Sequence, residues 1–186
     1  MKFNDHWKLS GKHAMFSPSQ SSWLRYSDER ALEIYESKQA AERGTRLHAF
    51  AEEAINLGIK MPKSKKTLNM YINDAIGYAM STEVILFYSD RFFGTADTIS
   101  FRDNVLRIHD LKTGKGAVHI DQLEVYAALF CLEYRIKPQN IIIELRIYQN
   151  DDIEYEIPEA GKIEEIMKKI VHLDALMASV QNAEED

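Results

Sequence analysis

Gly94-Thr-Ala-Asp97 and, after a short break, Asp110-Leu-Lys112 set two carboxylates and an amine on neighbouring segments. Residues 92–101 and 105–112 alternate as strands do, on either side of a polar Asp103-Asn104 turn. A tight loop there pairs Phe101 with Leu106, Ile99 with Ile108, Asp97 with Asp110 and Thr95 with Lys112. Thr98, Ser100, Arg107 and His109 fall on the opposite face, which favours this register over a slip by one residue. Directly opposed side chains have Cβ atoms roughly 4.5–5.5 Å apart, and like charges so placed repel. Lys112 offsets part of that charge, and two carboxylates converging at the end of a buried surface also bracket a divalent cation. The alternative is an exposed hairpin with ordinary surface acids and a salt bridge.

The elements that must position these residues are readable from periodicity. Ser17-Pro-Ser-Gln20 has the form of a capping box, with Ser17 as N-cap and proline at the first helical position. Ser27-Asp28-Glu29 opens a second helix to about residue 43, and Gly44-Thr45 punctuates before a third carrying Leu47, Phe50, Ala51 and Ala54. Leu68, Tyr71, Ile72, Ala75, Ile76 and Ala79 trace another helix. Strand-like runs follow at about 83–89, 92–101 and 105–112, then a helix from 119 to 135 and strands at 140–148 and 153–157, with Asn150-Asp151 between them. A last helix bears Ile163, Ile166, Met167, Ile170, Leu173, Met177 and Val180 on one stripe, which predicts core packing. The order implies an α/β fold with a mixed sheet between helices. Neither a repeat nor a linker marks a boundary, so a single domain over 1–186 is expected: residues 1–80 mainly helical, 81–186 the sheet core.

A chain of 186 residues, 45% apolar and 28% charged, is long enough for one sizeable core. No apolar run approaches the ~20 residues that span a bilayer, and the N-terminal stretch has no signal-peptide character, so an intracellular, cytoplasmic protein without membrane partners is expected. The lone cysteine, Cys131, predicts a buried core thiol and rules out an intrachain disulfide or a cluster held by this chain's thiolates alone. A net charge of −6 argues against a protein that coats nucleic acid but not against an enzyme with a locally acidic centre. The acids of Ala183-Glu-Glu-Asp186 read as a solvated tail, and Lys60, Lys63, Lys65 and Lys66 as a solvated helix connection or a phosphate contact. Lys112-Thr-Gly-Lys-Gly116 is no phosphate loop, because the glycines the pattern needs ahead of Lys112-Thr113 are missing.

Taken in order, Gly44-Thr-Arg-Leu-His48, Gly94-Thr-Ala-Asp97, Asp110-Leu-Lys-Thr-Gly114 and Gln122-Leu-Glu-Val-Tyr126 resemble the motifs of the RecB-like branch of the PD-(D/E)xK nuclease superfamily, which includes phage recombination exonucleases. Phe16 to Trp23 also looks like the opening helix of such nucleases. The resemblance implies a restriction-endonuclease-like fold: a mixed β-sheet flanked by helices, with an N-terminal helical region. It implies His48, Asp97, Asp110 and the backbone carbonyl of Leu111 as ligands of Mg²⁺ or Mn²⁺, a choice that suits oxygen donors and one imidazole. Lys112 would hold the attacking water and stabilise the transition state, with Gln122 and Tyr126 lining the substrate side against phosphate or Lys112. Glu52, one turn from His48, would orient it or lie at the surface. Some relatives carry an iron–sulfur cluster on four cysteines, which this chain lacks.

The function expected is hydrolysis of DNA by an exonuclease in recombination or end processing, from a bacterial or phage source. The competing expectation is an inactive DNA-binding or assembly module. A homo-oligomer, or a recombinase or single-strand annealing partner, would help so small a chain hold its DNA.

Overall fold

The computed structural model describes residues 4–114 and 116–184; of the acidic tail, Glu185 and Asp186 lie outside the described residues. The chain divides into two compact units, Met1–Arg43 and Gly44–Asp186.

The first unit holds two short 3₁₀ segments, Trp7–Leu9 and Pro18–Arg25, and the start of helix α1 (Asp28–Asn56). Ser17 does occupy the N-cap position with Pro18 behind it, but its side chain makes no cap bond. Its hydroxyl lies 2.8 Å from that of Ser19, and Gln20 leaves helical φ/ψ, so the expected capping box is not formed. The turn is instead tied by Trp23, whose indole N–H donates to the Ser17 carbonyl at 2.9 Å.

The expected break at Gly44-Thr45 is also absent: α1 runs through it as one helix. Gly44 is buried, and a Cβ on it would come within 2.7 Å of the Thr113 hydroxyl, so the glycine serves close approach rather than termination.

In the second unit, helix α2 (Thr67–Gly77) precedes three strands, β1 (Ser81–Ser89), β2 (Phe92–Arg102) and β3 (Val105–Leu111). Helix α3 (Asp121–Glu133) crosses to β4 (Ile142–Gln149) and β5 (Asp152–Glu156), and α4 (Ala160–Glu184) closes the chain. The five strands lie in sequence order, antiparallel except for the β3–β4 seam. This is an α/β fold with a mixed sheet flanked by helices. Both two-residue turns, Asp103-Asn104 and Asn150-Asp151, hold positive φ at each residue, the backbone that matches strand twist in a tight hairpin.

Each face of the sheet has its own core. Leu106, Ile108, Leu145 and Ile147 pack with Leu123, Ala127 and Cys131 of α3 and Ile163 and Ile170 of α4. Leu111 and Tyr148 pack with Ala51, Ala54 and Ile55 of α1 and Tyr71, Ile72 and Ala75 of α2. Thr98 and His109, assigned by alternation to a polar face, are fully buried because α2 covers that face. Cys131 is a buried free thiol, pushed up to about 11 by burial. The α4 stripe packs as far as Ile170, but Met177 and Val180 are exposed, so its last turns depart from the expected core helix. No helix among the described residues is long and apolar enough to cross a membrane.

Lys66, from the lysine-rich connection, pairs with Asp151 at 2.6 Å, and Asp151 also accepts the Thr67 N–H. That carboxylate from the β4–β5 turn supports the N-terminus of α2, where orphan N–H groups favour an anion.

Candidate active site

The hairpin register follows the expected pairing from Arg102–Val105 to Thr98–His109 and goes no further. Asp97 and Asp110 are thus not ladder partners, nor are Thr95 and Lys112; Thr95 pairs with Ile85 instead. The reason lies in β2. Ala96 and Ile99 both enter the α3-side core, which unbroken alternation forbids for residues three apart. The face reverses beside Glu83, which has φ +49° and, with Asp97, falls in a gap of the β1–β2 register. Asp97 is thereby turned to α1, while Asp110 keeps the parity of Leu106 and Ile108.

The side chains converge at the end where β2 and β3 part. Asp97 Oδ2 accepts the Leu111 N–H at 3.0 Å and lies 3.4 Å from His48 Nδ1. Lys112 Nζ reaches both Asp110 oxygens, at 3.2 and 3.0 Å, and donates to Gln122 Oε1 at 3.0 Å. Gln122 Nε2 in turn donates to the Tyr126 hydroxyl at 3.2 Å, so the i, i+4 pair on α3 forms a chain that ends on the ammonium. The Lys112 N–H donates to the Tyr148 carbonyl at 2.9 Å, which fixes the backbone beneath it to β4. Gly94 makes room on the α3 side: a Cβ there would meet Tyr126 Cε1 at 2.8 Å. The six expected side chains thus form two sets, His48 with Asp97 and Asp110 with Lys112, Gln122 and Tyr126, which meet at the backbone of Leu111.

Burial and the charge of Asp97 hold the Asp110 carboxyl above the usual range, opposed by Lys112 and His48. Asp110 Oδ2 is buried, and its partner is the Lys112 ammonium at 3.0 Å, an ion pair without hydrogen-bond alignment. The donor set, two carboxylates and an imidazole with the Leu111 carbonyl close by in sequence, suits a hard divalent ion. Among the described residues, no three His, Cys, Asp or Glu side chains are grouped so that they could hold a metal ion, and the expected set of His48, Asp97 and Asp110 is therefore not assembled as one. Beside Lys112, a cleft of about 240 Å³ is lined by Leu47, Thr67, Thr113 and Asn150.

Sequence reasoning missed Glu83. Its carboxyl is raised by partial burial, then by Asp97 and Glu52, and lowered by His48, which puts two further acids around the same imidazole. Only the β1–β2 register brings Glu83 here, and no spacing within β1 signals it.

Residues 84–150 match a family model described as a protein of unknown function (DUF2800). The matched stretch contains Asp97, Asp110, Lys112, Gln122 and Tyr126, and leaves out His48 and Glu83. No curated protein and no solved structure matches the chain.

Proposed function

We propose that this protein is a metal-dependent deoxyribonuclease of the RecB-like PD-(D/E)xK kind, an exonuclease acting in recombination or DNA end processing. The observation that carries the reading is the position of Lys112, whose ammonium is held between the buried Asp110 and the Gln122–Tyr126 pair, while the Asp97–His48 pair accepts the N–H of the preceding residue, Leu111. A scaffold has no use for a half-buried amine and paired acids at a strand end, whereas phosphodiester hydrolysis uses both.

Asp97, Asp110, His48 and the Leu111 carbonyl would hold Mg²⁺ or Mn²⁺. Once bound, the ion supplies charge neutralisation at the scissile phosphate and a more acidic water. Lys112 orients the attacking water and donates to phosphate oxygens as charge builds on them. Gln122 holds the ammonium through its carbonyl oxygen and is itself oriented by Tyr126, so a lysine with four rotatable bonds waits in one place. Asp97 accepts from the Leu111 N–H at 3.0 Å, which holds the carboxylate in place.

The test incubates the purified protein with linear and circular, single- and double-stranded DNA, and with RNA, in Mn²⁺, Mg²⁺ or EDTA, beside a Lys112→Ala control. Metal-dependent loss of linear DNA alone supports the exonuclease. Cutting of circles makes it an endonuclease. Tight DNA binding with no cleavage of any form would replace the proposal with a binding or assembly module.

A further inference from the structure

Ile85, Phe87 and Phe93 are 61%, 45% and 61% exposed, although all three lie within strands that pair in register. Directly paired residues project to the same face, so Ile85 with Thr95 and Phe87 with Phe93 form one strip. Leu86 and Gly94 project the other way, Gly94 against Tyr126 of α3. The strip therefore lies on the face of the hairpin that bears Glu83 and Asp97, and continues directly outward from them. From Asp97 to Phe93 the strand runs four residues, roughly 13 Å. None of the four strip side chains carries a charge.

Resting on the nuclease reading above, we infer that this strip is a stacking platform for the unpaired bases of a single DNA strand whose backbone enters the catalytic centre. An uncharged aromatic surface offers nothing to phosphate, so nucleic acid meets it through base faces. Bases present their faces only where the strand is unpaired, which selects single-stranded or frayed ends over intact duplex. The distance from Asp97 places the rings under the nucleotides just beyond the scissile bond. Neutral rings alongside a charged centre divide the work: one holds bases, the other handles the backbone.

The test compares the full chain with Phe87→Leu/Phe93→Leu and Phe87→Tyr/Phe93→Tyr. Binding of a labelled oligodeoxythymidylate and of a blunt hairpin duplex is read by fluorescence anisotropy in Ca²⁺, oligonucleotide integrity being checked on gels. Leucine keeps apolar bulk and removes the ring, whereas tyrosine keeps the ring. The platform requires the leucine pair to weaken oligodeoxythymidylate binding about tenfold or more, with the tyrosine pair near wild type and duplex binding unchanged. In Mn²⁺ the same loss should show in KM for the single strand and not in kcat. Equal single-strand binding by wild type and the leucine pair overturns the inference, as does failure of the wild type to bind the oligonucleotide. A change in oligomeric mass without a change in DNA binding also overturns it and makes the strip a contact between copies. Lys112-dependent cleavage of duplex would persist if only the platform fails, whereas absence of all cleavage with ring-dependent binding intact would sink the nuclease reading alone.

Discussion

In the proposed reaction the chemistry turns on Lys112, and its replacement is expected to separate activity from fold. Lys112→Ala is expected to lower DNA cleavage by at least about 10²-fold, the loss that follows removal of a preorganised transition-state donor. It also leaves Asp110 buried without its cation, so that carboxyl should titrate still higher. Far-ultraviolet dichroism should be unchanged, and a collapsed spectrum would show that the lysine is structural. Gly94→Ala tests positioning from the other side. Its Cβ would stand 2.8 Å from the Tyr126 ring, which must turn away and release Gln122. Cleavage should fall with little loss of stability, and Gly94→Ala combined with Tyr126→Leu should lose no more activity than Tyr126→Leu alone. That a tight turn at Asp103-Asn104 brings Asp97 near Asp110 and Lys112 was legible in the sequence, whereas the expected direct pairing of the two aspartates fails where alternation breaks in β2. Glu83 was not legible, since its place depends on a local reversal of the backbone.

Elements carry a different lesson, because glycine at position 44 has a meaning that local rules misread. An alanine there would favour α1 by about 1 kcal/mol on propensity alone. Against that stands the Thr113 hydroxyl at 2.7 Å, while the Thr113 Cβ is at a comfortable 3.9 Å. Gly44→Ala should therefore be stabilising by about 1 kcal/mol in a Thr113→Ala background and clearly less so, or destabilising, in the wild type, as measured by urea unfolding of the four proteins. The hairpin turns behave as local rules say. Asn104 sits at φ +58°, so Asn104→Gly should raise stability by about 0.5 kcal/mol without touching cleavage, and a loss would show that the Asn side chain holds the turn. Helix and strand positions were legible from periodicity and turn residues. The unbroken α1 and the uncapped Ser17 were not, as each is decided by contacts distant in sequence or by a competing local hydrogen bond.

For the molecule as a whole, a second buried network behind the site adds a dependence of stability on acid. His109 lies 3.3 Å from the Tyr148 hydroxyl, which donates to Asp74 at 2.7 Å, and burial with Arg146 and Arg107 pushes its pKa down to about 3 from an ordinary 6.5. The unfolded chain takes up a proton that the folded one refuses, so stability present above about pH 6.5 is lost as pH falls toward about 3. The slope should approach 1.4 kcal/mol per pH unit, roughly, and His109→Asn should flatten it in urea titrations. Asp110 works the other way: its raised pKa favours the fold in acid, a contribution lost as pH climbs through its folded value. The sheet order could be inferred from sequence only as far as mixed strands between helices, because nothing local says which strands become neighbours across α3. That crossover has one more consequence. The meander from β1 to β3 can zip while a ribosome still holds residues 142–149, yet Lys112 donates its N–H to Tyr148, across the parallel β3–β4 seam. A chain cut short after α3 would thus carry both aspartates and still leave the backbone at Lys112 unmoored.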